Sequence, residues 1–164
     1  KRQMCIRDRN KKDNSNTIAL NKKARHDYFI EQSFEAGLSL QGWEVKSLRE
    51  KKVQIGESYV ILKNNELYLF GAHISPLSSV SSHIDPDPTR TRKLLMHRLE
   101  IDRLREKITQ KGFTVVPLKL YWTRGKVKIE IGLAKGKKAH DKRQAIKEKD
   151  WKRDKQRVQK EINR

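Results

Sequence analysis

Cysteine is almost absent from this chain. Cys5 is the only one in 164 residues, so no intrachain disulfide and no multi-cysteine zinc site can form. The chain is therefore compatible with a reducing cytoplasm. Long apolar runs are missing too: the longest aliphatic stretches are about four residues, against the ~20 that a bilayer-spanning helix needs. No basic amphipathic helix with a broad Leu, Phe or Trp face points to a membrane surface either, and no signal-peptide pattern opens the sequence. No internal repeat is visible. Acid is scarce as well, with 20 Asp or Glu against 39 Lys or Arg and a net charge of +19. That imbalance makes nucleic acid the first candidate partner.

The usual signatures of catalysis are also thin. His26, His73, His83, His97 and His140 have no i,i+4 histidine partner and form no metal-ligand pattern, so no metal or other cofactor is implied. Asp85 and Asp87 each precede a proline, and turn and helix-cap roles explain both without chemistry. Ala134–Lys138 holds glycine among lysines but lacks the phosphate-loop spacing; it reads as a charged hinge. A nuclease would need carboxylates or histidines converging in space, which spacing alone does not exclude.

What is present has clear periodicity. Between Tyr28 and Gln41 the even positions read Tyr, Ile, Gln, Phe, Ala, Leu, Leu while the odd ones are mostly polar, a period of two that predicts a long strand with a bend near Gly37. A short helix is expected over Gln41–Lys52, ending in cations that suit the negative end of its dipole. Asn64-Asn65 closes a hairpin that sets Lys63 opposite Glu66, Leu62 opposite Leu67 and Val60 opposite Leu69. Asp87 and Pro88 are expected to open a helix of about six turns that carries Leu94, Leu95, Ile101, Leu104 and Ile108 and stops at Gly112.

A second hairpin pivots on Arg124-Gly125. It places Leu118, Leu120 and Trp122 beside Ile131, Ile129 and Val127 on a core face, with Lys119, Tyr121, Lys128 and Glu130 on the wet face. Tyr121 beside Lys128 is the aromatic and cation pairing used by nucleic-acid platforms, or simply a solvated cross-strand pair. The whole reads as a mainly β fold: a small barrel of the oligonucleotide-binding type with two packed helices.

From Lys135 to Arg164 there are thirteen Lys or Arg against five Asp or Glu. With so little to bury, this tail is expected to be disordered when alone and to fold only against a polyanion. Trp151 falls on a helical stripe with Ile146, Val158 and Ile162, or is a docking contact to a ribonucleoprotein. The expected organisation is a disordered or non-native leader over 1–16, a barrel domain over 17–134 and a basic tail over 135–164.

Four stretches, Phe34–Ser47 (FEAGLSLQGWEVKS), Asp87–Leu95 (DPTRTRKLL), Leu120–Trp122 (LYW) and Gly132–Arg143 (GLAKGKKAHDKR), resemble in order the bacterial SsrA-binding protein family, also called small protein B. The resemblance implies a cytoplasmic, non-enzymatic RNA adaptor of trans-translation. Its barrel would hold the tRNA-like domain of transfer-messenger RNA and, with elongation factor Tu and GTP, escort it to stalled ribosomes. The tail would fold as a helix in the empty message channel against small-subunit RNA, and the protein would act as a monomer.

By matching position, Glu35, Leu95 and Lys128 fall where the family contacts that RNA. His140, Asp141, Lys142 and Arg143 fall where it engages the decoding centre, and Trp151 lies on the tail helix. Lys135, Lys137 and Lys138 are further candidates for phosphate contact. Leu95 is equally consistent with core, and Glu35, unsuited to phosphate, would accept hydrogen bonds from base or sugar. The leader before Thr17 and Gln159 depart from the family pattern. A ribosomal or initiation-type protein that binds ribosomal RNA is the competing reading.

Overall fold

The computed structural model describes residues 16–79, 83, 85–109 and 112–137, together with the helical positions Asp150, Trp151, Arg153 and Gln156. Its elements run β1 (Thr17–Leu20), α1 (Lys22–Asp27), β2 (Tyr28–Leu38), α2 (Gly42–Arg49), β3 (Val53–Gln54), β4 (Tyr59–Lys63), β5 (Glu66–Phe70), β6 (His73–Ile74), β7 (Arg92–Leu95), α3 (Arg98–Thr109), β8 (Phe113–Thr123) and β9 (Lys126–Gly136). Residues 1–15 of the expected leader and most of the tail lie outside the described residues.

Six strands close on themselves. β8 pairs with β4, then β5, β7, β2 and β9 follow, and β9 returns to β8; β1 lies along the other edge of β8, and β3 with β6 makes a separate two-stranded ribbon. Closure removes the open edges that an isolated sheet would expose. This is the expected mainly β small barrel, with α1 added to the two helices read from the sequence. No helix among the described residues is long and apolar enough to cross a membrane.

Both hairpins close as their turn residues dictate. Asn64 and Asn65 have φ of 51° and 58°, and Arg124 and Gly125 have 48° and 72°, the left-handed pairs that match the twist of flanking strands. The first hairpin has the expected register, Lys63 to Glu66 through Val60 to Leu69. The second sets Leu120 opposite Ile129, Tyr121 opposite Lys128 and Trp122 opposite Val127, then shifts between Pro117 and Lys119.

That shift moves Leu118 away from Ile131. It joins Val116, Ala134 and Ala24 in a small second cluster under α1, packed with Tyr28 and Ile30, because an extra residue in a ladder turns the following side chains to the other face. The register of β2 against β9 likewise shifts between Ile30 and Gln32, and runs on unbroken from there to Gly37. Strand crossing is close here: a Cβ on Gly132 would stand 3.0 Å from Ile30 Cγ2 and 3.1 Å from Leu118 Cδ1. The main core fills the barrel with Ala36, Leu67, Leu94, Ile129 and Leu133, closed by Trp43 and Leu48 of α2 and Leu104 of α3.

The six-turn helix expected after Pro88 does not form. Arg92–Leu95 is strand β7, and only Arg98–Thr109 is helical. Asp87 accepts hydrogen bonds from the Thr89 amide and hydroxyl, each at 2.9 Å, so it makes a turn instead of a cap. Leu94 points into the core while Lys93 and Leu95 point out, and β7 fills the gap between β5 and β2. Pairing on both sides outweighs a local helical pattern. Ala134, Lys135 and Gly136 are likewise the end of β9 and not a hinge.

Candidate nucleic-acid interface

A buried ion network sets the outer surface in place. Glu44 and Arg92 are both fully buried, although 48 residues separate them. Arg92 donates through Nε to Glu44 Oε1 at 2.7 Å, through Nη1 to the Ala72 carbonyl at 2.7 Å and through Nη2 to the Pro88 carbonyl at 3.1 Å. Arg90 donates to Glu44 Oε2 at 2.7 Å, and the Gln41 amide donates to the same oxygen at 2.6 Å. Burial alone would raise the pKa of Glu44, but these donors outweigh it and hold the carboxyl below the usual glutamate range. The brace ties α2 to the segment entering β7 and so fixes where Lys93 and Leu95 emerge.

On the outer face, β7, β2, β9 and β8 present Leu95, Glu35, Lys128 and Tyr121 in turn. Glu35, Leu95 and Lys128 line one open groove of about 620 Å³, with Lys93 and His97 on its rim. Leu95 is 52% exposed, which decides against the core reading. It packs over Gly37, where a Cβ would come within 3.3 Å of its own. Lys128 Nζ lies 3.4 Å from Glu35 Oε1, and the Tyr121 hydroxyl donates a short hydrogen bond to Glu35 Oε2.

Tyr121 has a second neighbour that the sequence reading did not single out. Lys119 Nζ stands 5.0 Å from the centre of its ring and pairs with Glu130 at 2.9 Å. The cation over the ring is thus Lys119, while Lys128 serves Glu35. Burial first, then the Glu35 hydrogen bond and the charges of Glu35 and Glu130, push the Tyr121 phenol well above its ordinary pKa, so it remains a donor at neutral pH.

The other described candidate lysines, Lys135 and Lys137, lie at and just past the far end of β9. Lys135 is opposite Phe29 on β2 and Phe113 on β8, seven residues from Lys128, or roughly 23 Å along a strand. Lys137 Nζ lies 4.9 Å over the Phe29 ring and donates to the Arg25 carbonyl at 3.1 Å, while its amide donates to the Asp27 carbonyl at 2.9 Å. Phe29, exposed among the polar odd positions of β2, was the overlooked signal there. Trp151 is exposed and helical. Lys138, His140, Asp141, Lys142 and Arg143 lie outside the described residues. Among the described residues, no group of three or more His, Cys, Asp or Glu is placed to hold a metal ion.

The arrangement offers acceptor, cation and apolar contact within one groove, the mixture that reads a nucleotide by base or sugar as well as by phosphate. The chain is also closely similar to known proteins. An SsrA-binding protein of Ruthia magnifica subsp. Calyptogena magnifica is 74% identical over 153 residues, covering 93% of each chain. That of Psychrobacter sp. strain PRwf-1 is 61% identical over 143 residues, 87% of this chain and 90% of its own. A solved chain from the structure "tmRNA-SmpB: a journey to the center of the bacterial ribosome" superposes with a TM-score of 0.61 at 48% identity, covering 74% of this chain and 85% of that one. Since the model of the SmpB protein family also matches residues 18–161, the chain belongs to the SmpB family.

Proposed function

We propose that this chain is an RNA-binding adaptor of trans-translation. The groove end of the barrel binds the tRNA-like domain of transfer-messenger RNA, and the complex is delivered to stalled ribosomes. Family membership supports this reading, and so does likeness to a chain solved in a tmRNA-SmpB structure. The observation that carries it is the convergence of Glu35, Leu95 and Lys128, from three different strands, on one groove.

The geometry suggests how the parts act. Lys128 neutralises a phosphate, Leu95 gives an apolar contact to a base or ribose, and Glu35 accepts from an N–H or O–H donor, which phosphate does not have. The adaptor makes and breaks no covalent bond. In this reading it works as a monomer, and elongation factor Tu with GTP engages it through the shared RNA. The basic tail from Lys138 onward, with His140, Asp141, Lys142, Arg143 and Trp151, enters the empty message channel and folds there as a helix against small-subunit RNA. Lys137 holds the start of that tail against α1, and Lys135 and Lys137 are further cations for phosphate.

The test is binding to the tRNA-like domain near physiological salt, competed with ordinary tRNA and with unstructured RNA. Strong preference for the tRNA-like domain is expected. Equal binding to all three would leave a general basic RNA binder and overturn the proposal. Cutting the chain after Lys137, so that β9 stays whole, should spare this binding and abolish tagging of stalled products. Equal loss of both would refute the separation of barrel and tail roles.

A further inference from the structure

We propose that Tyr121 is a positioning residue for Glu35, holding its carboxylate toward the groove, rather than a surface on which a base stacks. This inference rests on the RNA-binding reading of the groove. Glu35 is an exposed, flexible side chain on β2, and ordering such a side chain at the moment of binding subtracts from affinity. Here it is ordered beforehand. The Tyr121 hydroxyl holds one carboxylate oxygen and Lys128 the other.

Tyr121 is in turn fixed from behind. Lys119 lies over its ring and is anchored to Glu130 on the neighbouring strand, so the series Glu130, Lys119, Tyr121, Glu35, Lys128 runs across β8, β9 and β2. The hydroxyl of Tyr121 is committed to Glu35 and one face of its ring to Lys119. A base could stack on that face only by displacing the lysine. A carboxylate accepts up to about four hydrogen bonds, so being held by Tyr121 and Lys128 still lets Glu35 accept from RNA.

A double-mutant cycle on the full chain separates the two roles. Tyr121→Phe removes one hydroxyl and leaves the ring, its stacking surface and every formal charge. It should weaken binding to the tRNA-like domain by about five- to tenfold, within the range for losing one hydrogen bond, with the salt dependence unchanged because no phosphate contact is lost. In a Glu35→Ala background the same change should cost less than about twofold, since the group that Tyr121 positions is gone.

Equal losses in both backgrounds would mean that Tyr121 touches the RNA itself. No loss in either would mean that Glu35 needs no holding. Each result overturns the proposal. If Tyr121→Phe melts early, Lys119→Met, which keeps the hydroxyl but removes the brace, takes its place in the cycle with the same expectation. A wild-type chain that shows no preference for the tRNA-like domain would sink the functional reading separately. The cycle is then read on the shared RNA binding, where additivity or silence still decides against Tyr121 as a positioner.

Discussion

Glu44 and Glu35 lie nine positions apart in the sequence, and each is paired with cations. Glu44 sits at zero exposure, with two arginines and a backbone amide directed at its two oxygens. Glu35 sits on the outer face, held by a lysine and a phenol. The partners differ as the settings do. Arginine's planar fork suits a permanent buried pair, whereas lysine is a compact charge on a flexible stem that can turn from a carboxylate to a phosphate. The first glutamate holds the scaffold; in the proposed reading the second stays held by Tyr121 while Lys128 is able to turn to phosphate.

The largest effect should come from breaking the inner pair. Glu44→Gln keeps the volume but leaves the buried Arg92 without a counter-charge and turns an amide NH2 toward donors that the carboxylate accepted from, and uncompensated buried charge costs about 3–5 kcal/mol. Denaturant unfolding measures this. RNA binding per folded molecule should weaken as well, because the brace fixes where Leu95 emerges, and unchanged binding in a fully folded variant would show that β7 keeps its place without it. Acid should report the same contact. Because the folded Glu44 is held below the ordinary glutamate pKa, near 4.3, its contribution is complete above that value and is lost as pH falls through the lowered one. The stability gap between the wild type and Glu44→Gln should be flat through neutrality and shrink only in acid. A gap that shrank near pH 6 would contradict the assignment.

An intermediate effect is expected at Gly132, which lies in neither glutamate site but on β9 between Lys128 and Lys135. Gly132→Ala pushes a methyl against Ile30 and Leu118 at about 3 Å, and overpacking of this kind costs about 1–3 kcal/mol. If the variant is as stable as wild type, Ile30 and Leu118 yield more easily than a packed core should. If stability falls and the salt dependence of RNA binding also changes, β9 is a strut that sets the groove as well as part of the wall.

These differences track what can be read locally. Asn64-Asn65 and Arg124-Gly125 state their turns in two residues, and their registers follow. The alternation over β2 is equally local. β7 was not legible, because Arg92–Leu95 is a strand only by pairing with β5 near Tyr68 and β2 near Gly37, while its leucines also fit the helix that starts six residues later. α1 is six residues long, capped by Asn21, and too short to show a period.

The site divides the same way. Tyr121 beside Lys128 followed from hairpin register, but Glu35 and Leu95 came only from family resemblance, since three strands must close before they meet. Nothing local joins Glu44 to Arg92 across 48 residues. Lys119 over Tyr121 was overlooked because side chains two apart on one strand face were not weighed against the cross-strand neighbour.

The smallest effect on stability, and the sharpest on function, is expected at Lys128. Its pair with Glu35 is partly exposed, and ion pairs at the surface contribute roughly 0–1 kcal/mol, so Lys128→Ala should leave unfolding within about 1 kcal/mol of wild type. RNA binding should weaken, and the plot of log affinity against log salt should lose about one unit of slope, the mark of one phosphate contact removed. Tyr121→Phe, by contrast, should weaken binding with the slope unchanged. The two substitutions therefore distinguish a charge that meets phosphate from a hydroxyl that acts through a neighbour. Should Lys128→Ala leave the slope untouched while affinity falls, Lys128 would act only by holding Glu35 and never meet phosphate, and the outer pair would be as fixed in its partners as the inner one.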